Sequence, residues 1–80
     1  MVAGNWKMNT TFDEGEALVK AVIARKGEVA SDVTLVVAPP FTHLNCLADD
    51  LKEAGIGLSA QNCAAKESGA YTGEVSAKML

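Results

Sequence analysis

The chain has 80 residues, 49% hydrophobic and 21% charged, and ten acidic residues against seven Lys and Arg leave a net charge of −3. That balance is too apolar for a disordered segment, and the acidic excess argues against a nucleic-acid partner, which needs a clustered basic face. No stretch reaches the ~20 apolar residues of a membrane helix, Met1–Lys7 lacks the basic start and apolar core of a secretory signal, and two cysteines with one histidine complete no zinc set.

The expectation is therefore a reduced, cytoplasmic chain with no membrane partner and no metal. Its length allows one domain, residues 1–80, which alone would bury little more than ~60% of its unfolded surface and be marginal.

In chain order, Val2–Asn5 reads as a short apolar strand that lacks its beginning. Thr11-Phe12-Asp13-Glu14 has capping-box form, and Leu18, Ala21 and Val22 follow on one face, so a helix is expected near 12–26 with Gly27 as its stop. Residues 34–38 (Thr-Leu-Val-Val-Ala) are apolar consecutively, as in a parallel strand covered on both faces, and Pro39-Pro40 ends the run. Leu44, Leu47, Ala48 and Leu51 stand at i, i+3, i+4 and i+7 and predict a helix near 43–54, closed by Gly55. A third strand is expected near 56–61, then a small, polar loop, then a helix near 74–80. Strands joined through helical crossovers should be parallel and right-handed. Three such strands leave two open edges, so the pattern is that of part of a larger α/β sheet or barrel.

In such folds chemistry sits in the loops after the strands, here Asn5–Asn9, Pro39–His43 and Gln61–Gly73. Asn5 and Lys7, two residues apart in extended backbone, can point to one side and hold a small anion, although spacing alone favours a solvated lysine and a turn-forming asparagine. His43 has a general base's chemistry but no implied partner, and a structural role is expected. Cys63 lies in a loop without a nearby basic group, Cys46 reads as a small apolar helix residue, and Trp6 as a packing anchor. Asp49, Asp50 and Glu53 form a wet helix face rather than a metal site, and Gly69–Gly73 has no phosphate-loop pattern.

Three segments, Ala3-Gly4-Asn5-Trp6-Lys7-Met8-Asn9, Val37-Ala38-Pro39-Pro40-Phe41-Thr42, and Ser59-Ala60-Gln61-Asn62-Cys63 with Gly69-Ala70-Tyr71-Thr72-Gly73-Glu74-Val75-Ser76, together resemble the triosephosphate isomerase family over essentially the whole chain. The resemblance implies the first three strand-helix units of a (β/α)8 barrel. It also implies an enzyme that interconverts dihydroxyacetone phosphate and glyceraldehyde 3-phosphate through an enediolate, without a cofactor. By the same resemblance Asn5 and Lys7 are the catalytic and substrate-binding pair, Lys7 supplying charge for the phosphate and the developing oxyanion. Gln61 and Asn62 support that loop. Met8, Thr72, Gly73 and Glu74 belong to a homodimer contact made through the third loop.

Members of that family usually carry several more residues before the equivalent of Val2. Their catalytic histidine lies in a later Gly-His-Ser-Glu-like segment absent here, and their glutamate, lid and later phosphate loops would fall beyond Leu80. The 80 residues alone are thus expected to be inactive. A non-catalytic alternative is a piece that only self-associates or complements the rest of a barrel through its open strand edges.

Overall fold

The computed structural model describes residues 1–80: β1 (Val2–Asn5), α1 (Phe12–Arg25) with a 3-10 turn over Lys26–Glu28, β2 (Leu35–Ala38), α2 (Phe41–Glu53) and β3 (Gly57–Leu58). Thr11 starts α1. Its hydroxyl accepts from the Glu14 N–H at 3.3 Å while the Glu14 carboxylate accepts from the Thr11 N–H at 3.1 Å, a reciprocal capping box. Pro40 is the N-cap of α2, so this helix begins at Phe41, two residues earlier than the apolar spacing suggests, because proline's fixed φ suits a helix start.

The sheet order is β1-β2-β3 with both pairs parallel. Register places Gly4 beside Val37 and Val37 beside Leu58, while Asn5 pairs with Ala38. Side chains alternate across a strand. Leu35, Val37 and Leu58 therefore face the core that α1 and α2 complete, and Ala3, Asn5, Val36 and Ala38 take the opposite face. The core is Val19, Val37, Leu47, Leu51 and Ile56, with Trp6, Phe12, Val22, Ile23 and Leu35 packed around it. All four residues of β1 are exposed.

Three expectations need correction. The inner row of α1 is Gly15 and Val19, with Val22 and Ile23 half-buried, whereas Leu18 is 41% exposed and Ala21 faces solvent. The cause lies at Gly15: a Cβ there would stand 2.4 Å from His43 Cδ2, so only glycine lets α2 approach along this row. Strand β3 is two residues long rather than six, because the Ile56 N–H is taken by Leu51 O at the end of α2 and only the Ser59 N–H continues the ladder, to Val37 O. Residues 74–80 hold an isolated bridge and one turn, not a helix. The Val75 carbonyl accepts from the Ala64 N–H at 2.7 Å in an isolated parallel bridge between Ala64 and Ser76, and the buried Ser76 hydroxyl accepts from the Met79 N–H. Such bonds compete directly with a helical ladder.

Charge contributes little to this architecture. The two ion pairs, Lys20–Glu16 and Arg25–Glu28, lie exposed on and just past α1. The hydrogen bond to Glu16 raises the Lys20 pKa above its usual value. No helix is long and apolar enough to cross a membrane.

Candidate functional site

The Trp6 N–H donates to Ala38 O at 3.1 Å, which extends the β1–β2 ladder one residue beyond Asn5. The chain then leaves the strand by a left-handed residue. Lys7 has φ 59°, and Thr10, three residues on, has φ 76°. A non-glycine residue there costs on the order of 1–3 kcal/mol and persists where its surroundings over-determine it. Here they do. Asn5 Oδ1 accepts the Lys7 N–H at 2.9 Å, Gln61 Nε2 donates to the Lys7 carbonyl at 2.9 Å and to Ala38 O at 2.9 Å, and Asn9 Nδ2 donates to Trp6 O at 2.7 Å. One amide after β3 thus ties the loop after β1 to the end of β2.

These bonds hold Lys7 at an open groove of about 630 Å³. With Lys7, the lining includes Met8, Asn9 and Glu14 from the first loop and α1, Pro40 and Phe41 at the start of α2, and Gln61 and Asn62 after β3. The Lys7 ammonium has no carboxylate partner, since the ion pairs of the chain lie on and beyond α1. The Glu14 carboxylate, which also lines the groove, is engaged by the Thr11 amide. The groove therefore offers an unpaired cation, carboxamides and hydroxyls at the carboxyl ends of parallel strands, an arrangement suited to a small anionic ligand.

The structure brings Lys7, Met8, Gln61 and Asn62 to one groove, but not Asn5. The Asn5 carboxamide oxygen is used in turning the chain at Lys7, so the picture of two side chains projecting together from extended backbone is corrected. Met8 is 96% exposed. Thr72, Gly73 and Glu74 lie exposed in the third loop, where Glu74 and Tyr71 line a separate groove and Gly73 has φ 87°. Cys46, within α2, and Cys63, after β3, are free and exposed. No group of His, Cys, Asp and Glu side chains is arranged to hold a metal ion.

His43 carries more than its sequence context suggests. It is 1% exposed and makes hydrogen bonds at both ring nitrogens to Thr10, Thr11 and Thr42. No local signal points to this, because Thr10 and Thr11 lie more than thirty residues away in the sequence.

Parallel strands joined through helices, with a polar groove where the strands end, define the class as a parallel α/β fold of the kind that makes up part of a β/α barrel. The family follows from comparison with known proteins. The triosephosphate isomerase family profile matches residues 1–80, and the chain belongs to that family. Curated relatives named triosephosphate isomerase include one from Porphyromonas gingivalis strain ATCC 33277, 52% identical over 81 residues. Others from Bacteroides fragilis strain ATCC 25285 and Chlorobium luteolum are each 48% identical over 80 residues. In each case the alignment covers all of this chain and 32% of the relative, so the chain spans about a third of the length of these relatives.

Proposed function

We propose that the complete protein carrying these residues interconverts dihydroxyacetone phosphate and D-glyceraldehyde 3-phosphate by proton transfer through an enediolate, as a cytoplasmic enzyme of glycolysis and gluconeogenesis. The observation that carries this reading is the unpaired ammonium of Lys7, held by a strained and multiply bonded backbone at the mouth of the groove. A fixed positive charge stabilises negative charge where it develops without reorganising during the reaction. Lys7 is thus assigned to the substrate phosphate and the enediolate oxygen. Asn5 serves the site by setting the Lys7 backbone.

The proton-transfer groups are assigned to other residues of the complete protein. Glu14 is committed to the helix cap, and the His43 imidazole is buried against threonines, so neither is placed as the base. Isomerase activity of the full-length protein and of its Lys7→Ala variant tests the assignment. Activity within tenfold of the parent in a folded variant would sink it.

Met8, Thr72, Gly73 and Glu74 are proposed to form the homodimer contact. Their exposure, together with half-exposed Tyr71 in the same loop, supports this reading. Thr72→Arg should convert the full-length dimer to monomer in sedimentation. For the isolated 80 residues a second reading is favoured by the exposed β1 edge: association with the remaining units of a barrel. Refolding the segment with a polypeptide carrying those units should restore turnover, and no recovery would count against it.

A further inference from the structure

His43 is the one buried ionisable side chain that the proposed chemistry does not use, and it touches both ends of the loop that carries Lys7. On the Lys7 side, the Trp6 ring stands edge-on to the imidazole with centroids 6.2 Å apart. On the helix side, Nε2 lies 3.0 Å from Thr10 Oγ1 and 3.1 Å from the Thr11 carbonyl oxygen, with the Phe12 ring edge-on at 5.9 Å.

These contacts assign the tautomer. A carbonyl oxygen only accepts, so Nε2 carries the proton and shares it between Thr11 O and Thr10 Oγ1; Nδ1 then accepts from the Thr42 hydroxyl at 2.8 Å. The bonds fall where the backbone needs them. Thr10 is a β-branched residue at φ 76°, a conformation rare for its type, and Thr11 is the cap on which α1 starts. Gly15 completes the fit, since any side chain there would strike the imidazole. The ring thus clamps a strained loop from a second helix.

We propose that His43 is a positioning residue for the reaction, which holds the left-handed turn of the first loop, and with it the Lys7 ammonium, in the productive place. This rests on the assignment of Lys7 to the substrate. It predicts that His43 acts only through Lys7.

The test uses the full-length protein and a double-mutant cycle. His43→Leu removes both ring nitrogens while filling the core, and is expected to lower kcat/KM by roughly 10- to 100-fold, the scale of an ångström's misplacement of a catalytic group. His43→Gln, which returns an N–H near the Nε2 position, should recover activity to within a few-fold. In a Lys7→Ala background His43→Leu should cost nothing further, a non-additivity that a merely structural role would not produce. The imidazole nitrogen NMR shifts of the parent should report the Nε2–H tautomer.

Should His43→Leu fail to fold, Thr10→Val keeps the branched side chain and deletes the acceptor, and a several-fold fall in kcat/KM is expected. Unchanged kinetics in whichever folded variant is measured, or losses that add in the cycle, overturn the inference. If Lys7→Ala itself leaves activity intact, the functional reading fails first. If Lys7 is essential and His43→Leu is silent, only the positioning role falls.

Discussion

The first and third loops both lie at the carboxyl ends of strands, yet they are held in opposite ways. The six residues between β1 and α1 are tied from three sides, by Asn5 behind, by Gln61 after β3, and by His43 on α2. From Asn62 onward, every hydrogen bond of the third loop closes within that loop, and Ser76 alone is buried. The left-handed positions differ in the same sense. The first loop places Lys7 and Thr10 there, against their preference, while the third places Gly69 and Gly73. Strain is carried in the loop that is bonded from three sides and avoided in the loop that is bonded only to itself.

The largest expected break in that contrast is Lys7→Ala. Loss of a fixed charge at a developing oxyanion costs ~10²–10³ in kcat. The Lys7 side chain has no hydrogen-bonding partner in the chain, so the thermal midpoint of the full-length protein should not move. Loss of activity with unchanged stability separates a site residue from a scaffold residue, and a parallel loss of both would contradict the assignment.

Gly15→Ala comes next and attacks the clamp from α1. Its Cβ would fall 2.4 Å from His43 Cδ2 and 2.7 Å from Nε2, so the imidazole or the helix must shift. Overpacking of this kind costs about 1–3 kcal/mol. A urea titration of the full-length variant should show that loss together with a fall in activity. Unchanged activity in the destabilised protein would show that the clamp supports the fold but not the loop.

Much of this molecule was legible in its residues. The Thr11–Glu14 cap, the Leu47–Leu51 row and the consecutive apolar run ending at Pro39-Pro40 are local patterns, and local bonding obeys them. The place of Lys7 after the first strand was legible in its motif, but its left-handed backbone was not, because the Gln61 amide that holds it lies 54 residues away. The same distance problem hid the contacts of His43. It also misassigned the inner row of α1, where a glycine at the contact outweighs Leu18 and Ala21. Residues 74–80 carry helix-compatible side chains, yet the bridge from Ala64 and the Ser76 hydroxyl bond take backbone groups that a helix would use.

Lys7→Gly sharpens the comparison further. It removes the same ammonium as Lys7→Ala but relieves the left-handed backbone, so the variant should be as inactive as Lys7→Ala and more stable than the parent. Relief of the left-handed strain, less glycine's extra chain entropy, leaves a gain of about 0.5–1 kcal/mol. Equal or lower stability than Lys7→Ala would mean that the bonds from Asn5 and Gln61 hold the turn at no cost, and the strain account of the first loop would fail.

Gly73→Ala is the mirror experiment and the smallest effect. Gly73 sits at φ 87° with nothing within 4 Å of where a Cβ would be, so the substitution adds backbone strain and no clash. The cost of about 1 kcal/mol should stay inside the third loop, because no hydrogen bond passes it on to the sheet or to the groove. Turnover by fully assembled protein should therefore be unchanged, while faster amide exchange appears around residues 69–76. Altered kinetics in the assembled dimer would instead show that the two loops are coupled, which their bonding pattern does not provide for.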